Sequence, residues 1–251
     1  MENVKSRIIL ALDFPAEDEM NRCLSALQGE LEYVKVGMEL FYAAGPSIVY
    51  ALKERGLKVF VDLKVHDIPN TARGAMNSLA RLGADMVNVH VAGGRAMMEA
   101  AREGLEAGAP AGSTRPLLIG VTMLTSTSRQ TMNEQLLIPG QVEEVVVGYA
   151  QLAKEAGMDG VVASPLEVPL VKQAAGTAFQ TVTPGIRPSG SARGDQTRVT
   201  TPEEAFRLGS DYIVVGRAVT AAEEPRAAWQ AMLTALQNST TEQGTPTGGK
   251  R

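Results

Sequence analysis

The sequence contains one cysteine, Cys23, so no internal disulfide can form, and a reducing compartment, the cytoplasm, is the expected setting. Cys23 falls where a helical pattern buries it, which reads as core filler rather than a nucleophile. Histidine is nearly as scarce, with only His66 and His90. Two histidines and one cysteine argue against a metal centre of the usual His/Cys kind. Positive charge is not in excess: Lys and Arg number 24 against 28 Asp and Glu, for a net charge of −4. That balance argues against nucleic acid or a membrane surface as the main partner. No apolar run approaches the roughly 18 residues that span a bilayer. The opening MENVKSRIILALD runs straight into a strand pattern and lacks the order of a signal peptide.

What is present is a repeating alternation. Eight short apolar runs, RIILALD, YVKVG, KVFVDLK, MVNVHV, LLIGVTML, GVVAS, FQTVTPG and YIVVG, are each followed by a helical pattern. Near-continuous hydrophobicity suits parallel strands covered on their outer face. The intervening segments carry apolar faces of helical period: Met20, Leu24 and Leu27; Ile48 and Leu52; Met76, Leu79 and Ala80; Trp229, Met232, Leu233 and Leu236. Gly56, Gly83, Gly157 and Gly209 follow such segments, where a left-handed cap is wanted. TPEE at residues 201–204 reads as a capping box with proline at the first helical position. Eight βα units in 251 residues predict a single-domain (β/α)8 TIM barrel over residues 1–238. An open doubly wound sheet is the competing architecture. A polar tail, residues 239–251, is expected to be disordered.

Two connections are long for βα loops, residues 125–139 and 184–200. Both follow strands, which puts them at the C-terminal face of a barrel, where active sites are built. The second, rich in Gly, Ser and Arg, reads as a lid closing over an anion.

Charge interrupts the apolar runs at the strand ends. Asp13 ends the first strand, Lys35 lies in the second, and Asp62 and Lys64 close the third. Residues two apart on a strand share a face, so these four gather at the barrel mouth as alternating carboxylates and ammoniums. A network that merely fixes the fold is the alternative, although such networks seldom outperform apolar packing. After the eighth strand come Gly216 and Arg217. A glycine lets backbone N–H groups approach an anion, and an arginine clamps it. Arg187 and Gln196 in the long loop are placed to close from above.

These residues resemble the orotidine 5′-monophosphate decarboxylase family. The motif D-x-K-x-x-D stands here as Asp62, Lys64 and Asp67, continued as IPNT through Thr71. Agreement extends through Ala11-Leu12-Asp13, Lys35 in VKVG, MLTS around Thr125, TPGIR ending at Arg187, Gln196, and VGR ending at Arg217. The resemblance implies decarboxylation of orotidine 5′-monophosphate to UMP with neither metal nor organic cofactor. It implies that Lys64 protonates C6 of the pyrimidine and that Asp62 sits against the substrate carboxylate. Asp13 and Lys35 would hold ribose hydroxyls and orient the charged network, and Thr125 would contact the ring. Gln196, Gly216 and Arg217 would bind the 5′-phosphate, with Arg187 beside them. Asp67 and Thr71 would reach into the neighbouring site of a homodimer. His66 and His90 read as structural histidines.

Two other readings stay open at this stage. The related 3-keto-L-gulonate 6-phosphate decarboxylases and hexulose-phosphate synthases share the barrel and the motif. They use magnesium and carry a glutamate ligand on the second strand, where this sequence has Lys35. A non-catalytic phosphate-ligand sensor would be expected to have lost Asp62 or Lys64.

Overall fold

The computed structural model describes residues 4–188 and 200–242. Its strands are β1 (Ile8–Ala11), β2 (Tyr33–Gly37), β3 (Lys58–Val65), β4 (Met86–His90), β5 (Leu117–Val121), β6 (Gly160–Val162), β7 (Gln180–Thr183) and β8 (Tyr212–Val215). Each pairs parallel to the next, and β8 returns to β1, closing a barrel. The open-sheet alternative is thereby excluded. The helices α1 (Glu17–Ala26), α2 (Met38–Ala44), α3 (Ser47–Glu54), α4 (Pro69–Arg81) and α5 (Gly94–Gly108) connect β1 to β5 in turn, with α2 and α3 both following β2. Then come α6 (Val142–Glu155), α7 (Val168–Ala175), α8 (Pro202–Arg207), α9 (Arg217–Thr220) and α10 (Pro225–Glu242).

The strand sequences are apolar on both faces because both faces are buried. Ile9, Tyr33, Phe60, Met86, Ile119 and Val182 form one cluster, an apolar plug inside the barrel. Residues of the other parity, Leu10, Val34, Val59 and Val87 among them, pack outward with Leu24, Leu52, Met76 and Leu105 of the helices. Two residues beyond the plug, the inward positions turn polar: Lys35 after Tyr33, Asp62 after Phe60, Asn88 after Met86. The plug therefore raises the charged row to the C-terminal mouth.

The opposite end of the barrel is tied by a repeated device. Asp85, Asp159 and Asp211 each stand one residue before an even-numbered strand, following Gly83, Gly157 and Gly209 in the pattern G-x-D. Each carboxylate accepts a backbone N–H of the preceding strand (Val59, Leu118, Thr181) and pairs with a cation (Lys53, Arg115, Lys172). The expected left-handed caps are present at Gly56, Gly83, Gly157 and Gly209, with φ between 75° and 98°.

Two helices pack almost backbone to backbone. A Cβ on Gly104 would lie 2.2 Å from the Arg73 carbonyl oxygen, and one on Gly108 2.4 Å from that of Asn77. Glycine in α5 thus lets α4 approach closely.

Some expectations are modified. Thr201 caps α8 by accepting the Glu204 N–H at 3.3 Å, but the Glu204 carboxylate turns to Arg207 at 2.5 and 2.6 Å, so the capping box is one-sided. The 125–139 connection contains a π-helical turn, Thr131–Gln135. The backbone of α10 runs to Glu242, and residues 243–251 of the expected tail lie outside the described residues. Residues 189–199 of the long loop lie outside the described residues, while its base is closed by an isolated bridge between Ile186 and Thr200. Among the described residues no helix is long and apolar enough to cross a membrane.

Candidate active site

A cavity of about 330 Å³ opens at the C-terminal mouth, within the usual size of small-molecule sites. Its charged floor is built by two adjacent strands, β2 and β3, and by Asp13, two residues past the end of β1. Lys35 Nζ donates to Asp13 Oδ1 at 2.9 Å and stands 3.3 Å from Asp62 Oδ2. Lys64 Nζ donates to Asp62 Oδ1 at 2.7 Å. Asp62 is the hinge of the row, held between two ammonium groups, and Lys35 and Asp62 are each 8% exposed.

Burial opposes charge on both residues, and the neighbours overcome it. Burial pushes the Asp62 carboxyl upward, but Lys35 and Lys64, with a hydrogen bond from Asn88, hold it below the ordinary aspartate range. Burial likewise works against the Lys35 ammonium, and Asp62 and Asp13 raise it above the ordinary lysine value. Gly37 makes room for this contact: a Cβ there would come within 2.8 Å of Asp13 Oδ1 and 3.0 Å of Lys35 Nζ.

Lys64 is not on a regular strand. The β3–β4 register shifts between Val61 and Val65, and Lys64 has φ of 49°, a left-handed conformation uncommon outside glycine. The simple alternation that places Asp62 and Lys64 on one face is therefore broken, and the two meet through the bulge instead. Asn88, 1% exposed on β4, spans the irregularity. Its Oδ1 accepts the Lys64 backbone N–H at 2.8 Å, and its Nδ2 donates to Asp62 Oδ1 at 2.7 Å.

Most of the sequence-predicted residues converge. Asp13, Lys35, Asp62 and Lys64 line the cavity floor, Thr125 stands on one wall, and Arg187, Gly216 and Arg217 stand on another. Asp67 and Thr71 do not line it. Both are exposed on the rim, where the Asp67 carboxylate accepts the Ile68 N–H at 2.7 Å. Gln196 lies outside the described residues. His66 and His90 face each other with ring centroids 5.6 Å apart. Burial, then the charges of His66 and Lys64, lower the His90 imidazole below its ordinary value. The sequence reading missed Asn88, Gly37 and Ser126. An amide between two valines on an inward-facing strand position was the available signal for Asn88.

Fold and site together define a (β/α)8-barrel protein with a desolvated row of alternating charges at its catalytic face. The model of the orotidine 5′-phosphate decarboxylase / HUMPS family matches residues 6–232. A protein of Bacillus cytotoxicus named orotidine 5′-phosphate decarboxylase is 55% identical over 223 residues, spanning 89% of this chain and 94% of the relative. One of Bacillus caldolyticus bearing the same name is 53% identical over 239 residues, spanning 95% and 98%. The crystal structure of orotidine 5′-phosphate decarboxylase from Lactobacillus acidophilus superposes with a TM-score of 0.82 at 42% identity, covering 91% of this chain and 98% of that one. An uncharacterized conserved protein from Geobacillus kaustophilus gives 0.81 at 49% identity, covering 91% and 99%. The chain belongs to the orotidine 5′-phosphate decarboxylase / HUMPS family.

Proposed function

We propose that this chain removes CO2 from orotidine 5′-monophosphate, giving UMP in the last step of de novo pyrimidine nucleotide synthesis. The observation that carries the reading is the Asp62 carboxylate gripped between Lys35 and Lys64 at the floor of the cavity. Breaking the bond from C6 to the carboxylate leaves an electron pair on a ring carbon that no adjacent carbonyl can delocalise. A fixed cation must stabilise that pair and then supply a proton. Lys64 does both: the pair left by departing CO2 takes a proton from its ammonium, and solvent returns the proton afterwards. At an effective dielectric of about 20, unit charges about 4 Å apart interact by roughly 4 kcal/mol, so the local field is of useful size. Asp62 lies against the substrate carboxylate and adds a repulsion relieved as CO2 departs.

The remaining roles follow the cavity walls. Asp13 and Lys35 hold ribose hydroxyls, and Thr125 meets the pyrimidine. Arg187, Gly216 and Arg217 take the 5′-phosphate, and Gln196, outside the described residues, is assigned to it by family likeness alone. Binding energy from that remote group is available to assemble the charged site around the reacting carbon. Asp67 and Thr71 complete the neighbouring site of a homodimer. Their exposure outside their own cavity supports this, as does Ile68 beside them, 68% exposed. We assign the enzyme to the cytoplasm.

Lys35 also weighs against the magnesium-dependent phosphosugar reactions of the wider family, because an ammonium on β2 is a poor metal ligand. The deciding assay is CO2 release from orotidine 5′-monophosphate with and without EDTA. Turnover unaffected by the chelator is expected; no release, or release abolished by EDTA, overturns the assignment. Sedimentation of the purified chain tests the dimer, and a monomer at working concentration refutes it.

A further inference from the structure

Asn88 lines the cavity without carrying charge, and from β4 it touches both Asp62 and Lys64 across the β3 bulge. Its two polar atoms are both used: the carbonyl oxygen accepts the Lys64 N–H, and the amide nitrogen donates to Asp62 Oδ1. That same Oδ1 receives the Lys64 ammonium. A closed ring results, running from the Asn88 amide through the Lys64 backbone and side chain to the Asp62 carboxylate and back. The ring sits where the β3–β4 ladder has slipped and has no regular partner for the Lys64 N–H. It also holds a lysine in a backbone conformation that costs about 1–2 kcal/mol without a compensating contact.

We propose that Asn88 is the positioning residue of the charged row: one side-chain amide fixes the Asp62 carboxylate and the Lys64 backbone together, and so sets where the Lys64 ammonium stands. The proposal rests on the decarboxylase reading for its kinetic consequence but not for its geometry. Asn88 fills one corner of the site from a strand that supplies no charge to the row. Its paired residue on β5 is the apolar Ile119. Around it stand Asp62 and Lys64 on β3, Lys35 on β2, Asp13 after β1, and the His66–His90 pair at the ends of β3 and β4. Only an uncharged group that both donates and accepts closes the ring without disturbing their balance.

Two variants and one measurement on the unmodified protein test this. N88A removes both hydrogen bonds; kcat on orotidine 5′-monophosphate should fall about 10- to 100-fold, as for other groups that orient a reacting residue, with KM and UMP affinity within about threefold. N88D keeps the shape. Its carboxylate can accept the Lys64 N–H but repels Asp62, whereas its protonated form donates as the amide does. The activity of N88D relative to wild type should therefore climb as pH falls, while that of N88A stays level. A purely structural role predicts equal, pH-independent losses in both variants, and that result, or an unchanged kcat in N88A, overturns the proposal. Amide hydrogen exchange on the wild-type full chain needs neither a variant nor activity. The Lys64 N–H should be protected at least 100-fold over the exposed amides of the following rim segment, and free exchange there sinks the proposal whatever the enzyme's substrate proves to be. Protection without CO2 release would refute the decarboxylase reading alone.

Discussion

Lys35 and Asp62 stand 3.3 Å apart, each almost wholly withdrawn from water, and each moves the other's titration outward. The Asp62 carboxyl is held below the ordinary aspartate value: burial raises it, and the charges of Lys35 and Lys64 outweigh burial. Its contribution to stability is complete above the unfolded value near 3.8 and is lost as pH falls through the depressed folded one. The Lys35 ammonium is raised despite its burial, so its contribution is complete below the unfolded value of 10.5 and is lost as pH rises through the folded one. Urea midpoints followed across pH should show a plateau between these limits. In Asp62→Asn the acid-side decline should be shallower than in wild type; superimposable profiles would show that the pair does not behave as described.

Lys64→Ala should abolish nearly all turnover while UMP still binds, because the cavity walls remain. Equilibrium binding measured beside single-turnover decarboxylation checks this. A variant running at the wild-type rate would remove Lys64 from the chemistry.

Arg217→Ala should chiefly raise KM for the nucleotide. Phosphite dianion added to the wild-type enzyme should accelerate a substrate lacking the phosphate, since binding energy at a distant group can be spent at the reacting centre. Absence of any phosphite response would uncouple that wall of the cavity from catalysis.

Gly37→Ala inserts a methyl group against the Asp13 carboxylate and the Lys35 ammonium, at 2.8 and 3.0 Å. Overpacking of this kind costs about 1–3 kcal/mol. The displaced ammonium should also cut activity at least tenfold. Thermal melting and kcat/KM measured on the same preparation test both effects, and an Ala variant with full activity would mean that the pair relaxes freely.

Asp211→Ala acts at the opposite end. It deprives Lys172, the Thr181 N–H and the Thr181 hydroxyl of one shared acceptor. A loss of about 1.5–3 kcal/mol is expected, with kcat and KM unchanged in the folded fraction. Denaturation and kinetics together separate the two; an altered kcat would contradict the division of labour between the barrel ends.

Much of this was legible in the sequence, for identifiable reasons. A parallel barrel buries both faces of every strand, so all eight strands announce themselves as apolar runs. Charges set in those runs are conspicuous, which is why Asp62, Lys64 and Lys35 stand out at once. Asn88 is quieter, because its one signal is a neutral amide between valines, a polar group in an apolar run without charge or motif. The bulge at Lys64 has no signature either: a lysine with positive φ is spelled like any other lysine. Asp62 and Lys64 were expected together from strand alternation, and they do meet, but through the irregular backbone that alternation ignores. Asp67 and Thr71 were reachable only by family likeness, since nothing in one chain directs them to a cavity. The G-x-D clamps recur three times and went unread, because they lie at the end of the barrel remote from the chemistry.

The amide that seats Lys64 belongs to a strand synthesised after the lysine itself. A nascent chain that has emerged only through β3 already owns every ionisable member of the row, yet nothing anchors the kink that aims them. Competence therefore cannot precede the docking of Met86–His90, and it waits further for β8 to return to β1, because the cavity also draws Gly216 and Arg217 from the far end of the chain.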